Sequence, residues 1–456
     1  MHRSSPRPES FRRIALSALL LASCASTNPD EERALHEYLA TEFRPDAPGG
    51  VVLVARGEDV LVHEAYGLAN LETGRAMVRE DVLCIGSVTK SFAAAAVLRL
   101  VEEGVLALDD DVRLHVPDAP TAGHAVTLEQ LLTHTSGMPS LVDLPDFMEW
   151  ARSERTTAEL VAATEGMEWL SPPGAEFHYS DSGYILLGAL VETVTGEAFD
   201  EYVAREIAGP LGMTSTRSAH RPRGGEPVGY SSGQPAQAIH MSVPHASGQL
   251  ASTAADLLRW ARAWREAKVA SPELCDLAWA ARELPDGTHS GYGFGWKRDH
   301  VAGRTSVGHG GWVPGFTATV LHLPDDDLTA IALVNSEDGR PEASYVARRC
   351  LRLLLTGSPW LVPVPVGAER RAQLVGRYVT DGGSELTVEE RAGGLFVLWG
   401  GDEIELMALS TSRFAAADSD GTWRFRFEGE EGANPTELLV SLSGEPQARA
   451  RRDPGR

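Results

Sequence analysis

Ser87 and Lys90 stand three residues apart in Ile85-Gly86-Ser87-Val88-Thr89-Lys90, just ahead of the alanine run Ala93 to Ala96. A serine hydroxyl is a weak nucleophile until a base removes its proton. A lysine at i+3 can be that base, because positions i and i+3 of a helix are neighbours on one face. At a helix's first turn the backbone N–H groups are unpaired and the dipole is positive, which suits a reacting group that becomes negative. Composition singles this lysine out. Lys90, Lys268 and Lys297 are the three lysines among 41 basic residues, so arginine carries the surface charge. A position that keeps lysine needs something arginine cannot do, and losing a proton near neutral pH is the obvious candidate. Taken alone, S-x-x-K fits equally a capping serine followed by a surface lysine.

Two further segments carry chemistry. Phe177-His178-Tyr179-Ser180-Asp181-Ser182-Gly183-Tyr184 places a phenol and an acid in a turn that leads into a helix. Val307-Gly308-His309-Gly310-Gly311-Trp312 reads as a glycine-rich strand. Glycines weaken a strand unless something must approach its backbone, and an extended substrate along that edge would do so.

The elements that position these residues are legible as patterns. Helical spacing covers 31–43, 87–103, 127–133 with Thr127 as N-cap, 184–195, 254–268 behind Ser252 or Thr253, and 342–355. Strands read at 51–55 and 59–66, and 316–323 with 328–335 form a hairpin around Pro324-Asp325-Asp326-Asp327. The proline-rich stretch 358–367 reads as an extended linker. Beyond it the period becomes two, at 385–390, 395–399, 403–409, 422–427 and 437–442, with Trp423, Phe425 and Phe427 alternating with Arg424 and Arg426. That is a small antiparallel β domain with one wet face.

Six segments in order, LCIGSVTKSF, LLTHTSGMP, YSDSGYILLG, SGQLASTAADLLRW, GYGFGW and GHGGWVPGF, resemble the serine β-lactamase and penicillin-binding-protein superfamily in its class C-like branch. The likeness spans roughly residues 31 to 356. It implies an α+β fold: an antiparallel sheet flanked by helices, an all-helical subdomain, and the site between them. It also implies roles. Ser87 would be acylated. Lys90 would be its base, alone or with Tyr179, whose phenol would pass the proton to the leaving group. His309 would orient Tyr179 or the substrate. The backbone N–H groups of Ser87 and Trp312 would form the oxyanion hole, with Gly310 and Gly311 along the substrate. The C-terminal segment resembles the lipocalin-like barrels attached to some relatives.

Two departures from the family pattern bear on activity. Asp181 stands where the family has asparagine. An amide donates to substrate and accepts from lysine, whereas an ionised carboxylate only accepts and favours the charged form of Lys90. Three outcomes are open: a protonated Asp181, Tyr179 as base, or weakened activity. Asp181→Asn is expected to keep or raise the hydrolytic rate. The third motif is His309-Gly310-Gly311 rather than K-T-G, so less positive charge is supplied at neutral pH. That favours ester or D-amino-acid peptide hydrolysis over efficient β-lactam breakdown. A true β-lactamase, and a penicillin- or cell-wall-binding protein with weak turnover, are the alternatives.

The chain has 456 residues, 43% apolar and 23% charged, enough for more than one domain. A net charge of −23 argues against nucleic acid as a partner. Arg3, Arg7, Arg12 and Arg13 precede the short apolar run Ile14 to Ala22, which reads as a secretory signal. It ends in Leu21-Ala22-Ser23-Cys24, resembling a lipoprotein lipobox with Cys24 as the lipidated residue. The expected organisation is signal 1–23, tether 24–34, hydrolase domain 35–357, linker 358–367 and β domain 368–450, on a periplasmic or cell-surface lipoprotein held to a membrane at Cys24. Cys84, Cys275 and Cys350 read as buried thiols, and neither metal spacing nor a cofactor motif is present. Gly229-Tyr230-Ser231-Ser232-Gly233 matches G-x-S-x-G but lacks the flanking strand and helix of a nucleophile elbow, so it reads as a loop. His134 reads as a turn residue holding backbone. The acidic triplets 109–111 and 325–327 read as solvated turns.

Overall fold

The computed structural model describes residues 28–453 other than 222, 339–340, 362, 381, 392, 417–422, 430–432 and 443–444. The expected signal segment 1–23, Cys24 and the start of the tether lie outside these residues. Helix α1 (Pro29–Glu42) is capped by the Asn28 side chain and has proline at its first position, where a missing N–H costs nothing. Strands β1 (Gly50–Arg56) and β2 (Asp59–Tyr66) follow, then α2 (Thr89–Glu102), α3 (Asp181–Thr195) and α4 (Ala254–Arg265). Next come β3 (Lys297–Val301), β4 (Arg304–Val313), β5 (Phe316–Leu323), β6 (Leu328–Val334) and α5 (Ala343–Thr356).

The six strands form one antiparallel sheet in the order β3-β4-β5-β6-β1-β2. Its two faces are covered by different helices. Val52 and Val54 of β1 join Leu35, Leu39, Val346 and Leu351 of α1 and α5. Val51, Leu53 and Ala55 join the core that contains α2, α3 and α4. Burial on both sides explains why β1 and β6 read as unbroken apolar runs rather than alternating ones. Small side chains let α2 sit in the middle: Ala93 to Ala96 are wholly buried. Phe92 stacks on Trp260 with ring centres 4.1 Å apart, and the Trp260 indole N–H donates to Ser91 Oγ at 2.8 Å.

After the linker, strands β7 (Gly376–Thr380), β8 (Glu385–Arg391), β9 (Gly394–Trp399), β10 (Asp402–Ala408), β11 (Arg413–Ala416), β12 (Trp423–Glu428), β13 (Glu437–Leu442) and β14 (Glu445–Arg452) close into an eight-stranded antiparallel barrel. Tyr378, Val388, Val397, Phe414, Phe425, Phe427 and Val440 fill its interior.

The barrel grips the sheet at β3. Asp299, 8% exposed, pairs with Arg348 of α5 and lies 3.9 Å from Arg424 of β12. Arg424 also donates to the His300 carbonyl at 2.8 Å. Burial alone raises the Asp299 carboxyl, but the two guanidiniums more than reverse this and hold it below its usual range. A carboxyl lowered in this way stabilises the fold above its unfolded value of ~3.9 and loses that contribution as pH falls through its folded value. Barrel docking is therefore expected to loosen below about pH 4. Asp299→Ala strands Arg348 and is expected to cost about 3–5 kcal/mol in denaturant unfolding at pH 7.

Candidate active site

Ser87 sits in a 3-10 turn, Gly86–Val88, that runs directly into α2. A 3-10 turn has three residues per turn, so positions i and i+3 eclipse. Lys90 Nζ accordingly meets Ser87 Oγ at 3.1 Å. The lysine is wholly buried and also donates to Asp181 Oδ1 at 2.7 Å and to the Ser247 carbonyl at 3.0 Å. These two acceptors take two N–H bonds. At 3.1 Å a neutral Lys90 amine is within reach of the serine proton. The carboxylate pulls the other way, favouring the ammonium.

Asp181 is the first residue of α3, capped by Ser180, whose hydroxyl accepts from the Gly183 N–H. The helix thus begins earlier than the apolar pattern shows, and its positive end bears on Asp181. The Tyr179 ring lies between two cations, with Lys90 Nζ at 4.8 Å and Lys297 Nζ at 5.4 Å from its centre. Both nitrogens are within cation–π distance of the ring. His134 holds the turn from behind. Its carbonyl accepts from the His178 N–H and its Nδ1 from the Ser180 N–H, with the ring 4.2 Å from that of Tyr179. This backbone role is the one expected for it.

Strand β4 supplies the opposite wall. Backbone approach there is so close that side chains are excluded at two places. A Cβ on Gly311 would stand 1.9 Å from the Ile85 carbonyl oxygen and 3.1 Å from the Ser87 N–H nitrogen. A Cβ on Gly86, whose φ is +47°, would stand 2.6 Å from the Trp312 nitrogen. The N–H groups of Ser87 and Trp312 are therefore brought together, as an oxyanion hole requires. The Trp312 indole itself is 54% exposed.

His309, 2% exposed, does not reach Tyr179 or the cleft through its ring nitrogens. Nδ1 donates to the Gly310 carbonyl and Nε2 accepts from the Tyr292 hydroxyl at 2.8 Å. The His309 ring itself lies 6.3 Å from that of Tyr179, and Tyr292 links the two. Tyr292 meets the Tyr179 ring edge-on at 6.0 Å. Burial, then the charges of Lys297 and Lys90, keep His309 well below the usual histidine range. His134 is held low by burial, Lys90, His309 and Lys297 in turn. Both imidazoles are neutral at pH 7. The pH profile of kcat/KM is expected to lack an inflection near ~6.5 from either ring, and His309→Gln to leave its shape unchanged.

Lys297 is the residue the sequence reading left out of the site. It is the first residue of β3, paired across the ladder with Gly308, beside His309. The positive charge that the H-x-G motif lacks is present on the neighbouring strand. Tyr292 and the Ser247 carbonyl were likewise not anticipated. Other candidates are placed elsewhere. Gly229 to Gly233 form a tight hairpin in which the Tyr230 hydroxyl accepts from the Leu71 N–H. Asp110 and Asp111 bond His115 and Arg113, and Asp326 and Asp327 pair with Arg304 and Arg265, so these carboxylates are engaged by protein side chains. Burial pushes the Cys84 thiol up to about 12, which suits packing rather than attack.

With an antiparallel sheet covered by helices and Ser87 beside the buried Lys90, the chain belongs to the Beta-lactamase family, whose model matches residues 32–355. Penicillin-binding protein 4* of Bacillus subtilis (strain 168) is 26% identical over 402 residues, covering 80% of this chain and 87% of that protein. Protein flp of Staphylococcus aureus (strain N315) is 32% identical over 173 residues, 37% of this chain and 34% of that one. Among solved structures, the octameric penicillin-binding protein homologue from Pyrococcus abyssi is 27% identical with a TM-score of 0.63, covering 92% of this chain and 99% of its own. The D-amino acid amidase from Ochrobactrum anthropi SV3, at 23% identity and TM-score 0.63, covers 72% of this chain and 99% of its own and shares the fold.

Proposed function

We propose that this protein is a serine hydrolase that moves an acyl group from an ester or a D-amino-acid amide or peptide to Ser87 and then to water. The observation that carries the reading is the buried Lys90 Nζ 3.1 Å from Ser87 Oγ. Ser87 Oγ attacks the carbonyl carbon while its proton passes to Tyr179, whose ring Lys90 and Lys297 flank, or to a neutral Lys90. The negative oxygen that forms is met by the Ser87 and Trp312 N–H groups, each worth roughly a hundred- to a thousandfold in rate. The same phenol returns the proton to the departing amine or alcohol. A water molecule then repeats the sequence on the acyl-serine, with the proton ending on Ser87. The fold shared with a D-amino acid amidase supports the substrate class.

The Lys90–Asp181 ion pair, at 2.7 Å, favours a second reading, a ligand-binding protein with little turnover. A fluorophosphonate probe followed by mass spectrometry separates the two. Labelling at Ser87, with faster turnover of a short p-nitrophenyl ester or a D-amino-acid p-nitroanilide than of a chromogenic cephalosporin, supports the hydrolase. An unlabelled Ser87 overturns it.

A further inference from the structure

We propose that His245 is a positioning residue for Lys90: tied to Glu192 of α3, it holds the turn 245–248 so that the Ser247 carbonyl stays on the lysine amine. Its effect on rate rests on the hydrolase reading; its hold on the amine does not. His245 takes no part in the chemistry described above, yet it is buried. Its φ of +41° lies in the left-handed region that residues with a side chain rarely enter. Strain of this kind persists only where the surroundings over-determine the backbone. Here the surroundings are one helix.

Asp181, Gly188 and Glu192 are seven and four positions apart, so they lie along one stripe of α3. Asp181, at the start of the stripe, accepts from Lys90 at 2.7 Å. Glu192, near its end, lies 3.1 Å from His245 Nε2. Burial alone raises the Glu192 carboxyl, but bonds from His245, the Phe199 N–H and the Thr157 hydroxyl hold it below its usual range. An ionised carboxylate only accepts, so the imidazole donates. Between these two acids Gly188 opens a gap for the turn. A Cβ there would stand 2.5 Å from Ala246 Cβ and 2.6 Å from His245 Cε1. The turn is thus pressed onto the helix at Gly188 and anchored to it at Glu192. Two residues further on, the Ser247 N–H and hydroxyl both donate to the Pro244 carbonyl, at 2.8 and 2.7 Å. The Ser247 carbonyl accepts from Lys90 at 3.0 Å. One helix therefore sets both acceptors, Asp181 directly and Ser247 through His245. These bonds hold the amine at its 3.1 Å approach to Ser87 Oγ. A misplacement of about 1 Å between reacting groups costs on the order of 10²-fold in rate.

The test uses His245→Gly and His245→Gln. Glycine takes a positive φ without strain but loses the tie to Glu192, whereas glutamine keeps an amide donor. On a p-nitrophenyl ester, His245→Gly is expected to lower kcat by roughly tenfold or more with little change in KM, and His245→Gln to stay within about threefold of the native rate. The amine can also be read directly, because the chain has three lysines, Lys90, Lys268 and Lys297. With 13C at lysine Cε, the Lys90 NMR signal, assigned by its absence from Lys90→Met, is expected to move in His245→Gly and to stay in place in His245→Gln. A residue that only stabilises the fold would leave that signal unmoved in the folded protein. Gly188→Ala displaces the turn with His245 intact, and alanine favours the helix itself. It is expected to move the same signal and to lower kcat. A moved Lys90 signal, with no ester turnover in the native protein, would retire the hydrolase reading and keep this one. An unmoved signal in His245→Gly or, should that variant not fold, in Gly188→Ala would overturn the proposal. So would a kcat loss in His245→Gln as large as that in His245→Gly.

Discussion

Ser87→Ala is expected to remove the proposed turnover of ester and amide substrates while the protein still folds. Its hydroxyl has Lys90 Nζ, a candidate base, at 3.1 Å. Removal of a nucleophile of this kind costs on the order of 10⁴- to 10⁶-fold in kcat, with the remainder supplied by binding and the oxyanion donors. Ser87 does little for stability, because the 3-10 turn it occupies lacks a side-chain cap. The measurement is kcat/KM on a p-nitrophenyl ester together with intact mass after fluorophosphonate treatment. A loss below tenfold, or an adduct that persists in the variant, would place the nucleophile elsewhere.

Gly311→Ala is expected to give the second largest loss. The added methyl cannot fit: its carbon would lie 1.9 Å from the Ile85 carbonyl oxygen, so the β4 backbone must retreat from the serine turn. That retreat carries the Trp312 N–H with it. Loss of one donor to the developing oxyanion costs about 10²- to 10³-fold in kcat, with a smaller change in KM, since the donor acts mainly on the transition state. Gly310→Ala is the control. A Cβ there meets nothing closer than Thr319 Oγ1 at 3.8 Å, so a small effect is expected. Equal losses from the two substitutions would show that the strand's general flexibility, and not the contact with the turn, is what matters.

Much of this site is written locally and could be read before any coordinates. Ser87 and Lys90 are three residues apart, and the scarcity of lysine marks one of them. The same scarcity marks Lys297, but it is 207 positions from Lys90 in the chain, and only the pairing of β3 with β4 brings it to Tyr179. A role created by strand pairing has no local signature. His309 is marked by its motif, but its hydrogen-bond partners are not. Its motif reads as a functional side chain, yet its nitrogens are taken up by Tyr292 and a carbonyl. The apolar period also starts α3 at Tyr184, because Asp181 to Gly183 are polar or small, although the capping serine at 180 was there to be used.

In the barrel, five of the eight strands show a period of two, while 376–380, 413–416 and 445–452 do not. The first two are four or five residues long. In the last, the inward position at 450 is alanine between Arg449 and Arg451, so the stretch looks charged rather than amphipathic. The closed barrel expected from the lipocalin-like resemblance is present, but its closing pair was not legible in the local pattern, because β7 meets β14 across about 70 residues.

An open sheet ends in strands whose outer backbone groups can recruit a further chain, and proteins suppress that recruitment in various ways. At β3 the suppression is done by guanidinium groups. The His300 carbonyl accepts from Arg348 at 3.1 Å and from Arg424 at 2.8 Å, so the place where an intruding strand would bond is already occupied from within the same polypeptide. The C-terminal barrel thus serves as a guard for the hydrolase sheet as well as an appendage to it. Cutting the chain in the linker would take Arg424 away and leave Arg348 alone on the His300 carbonyl, half of the guard.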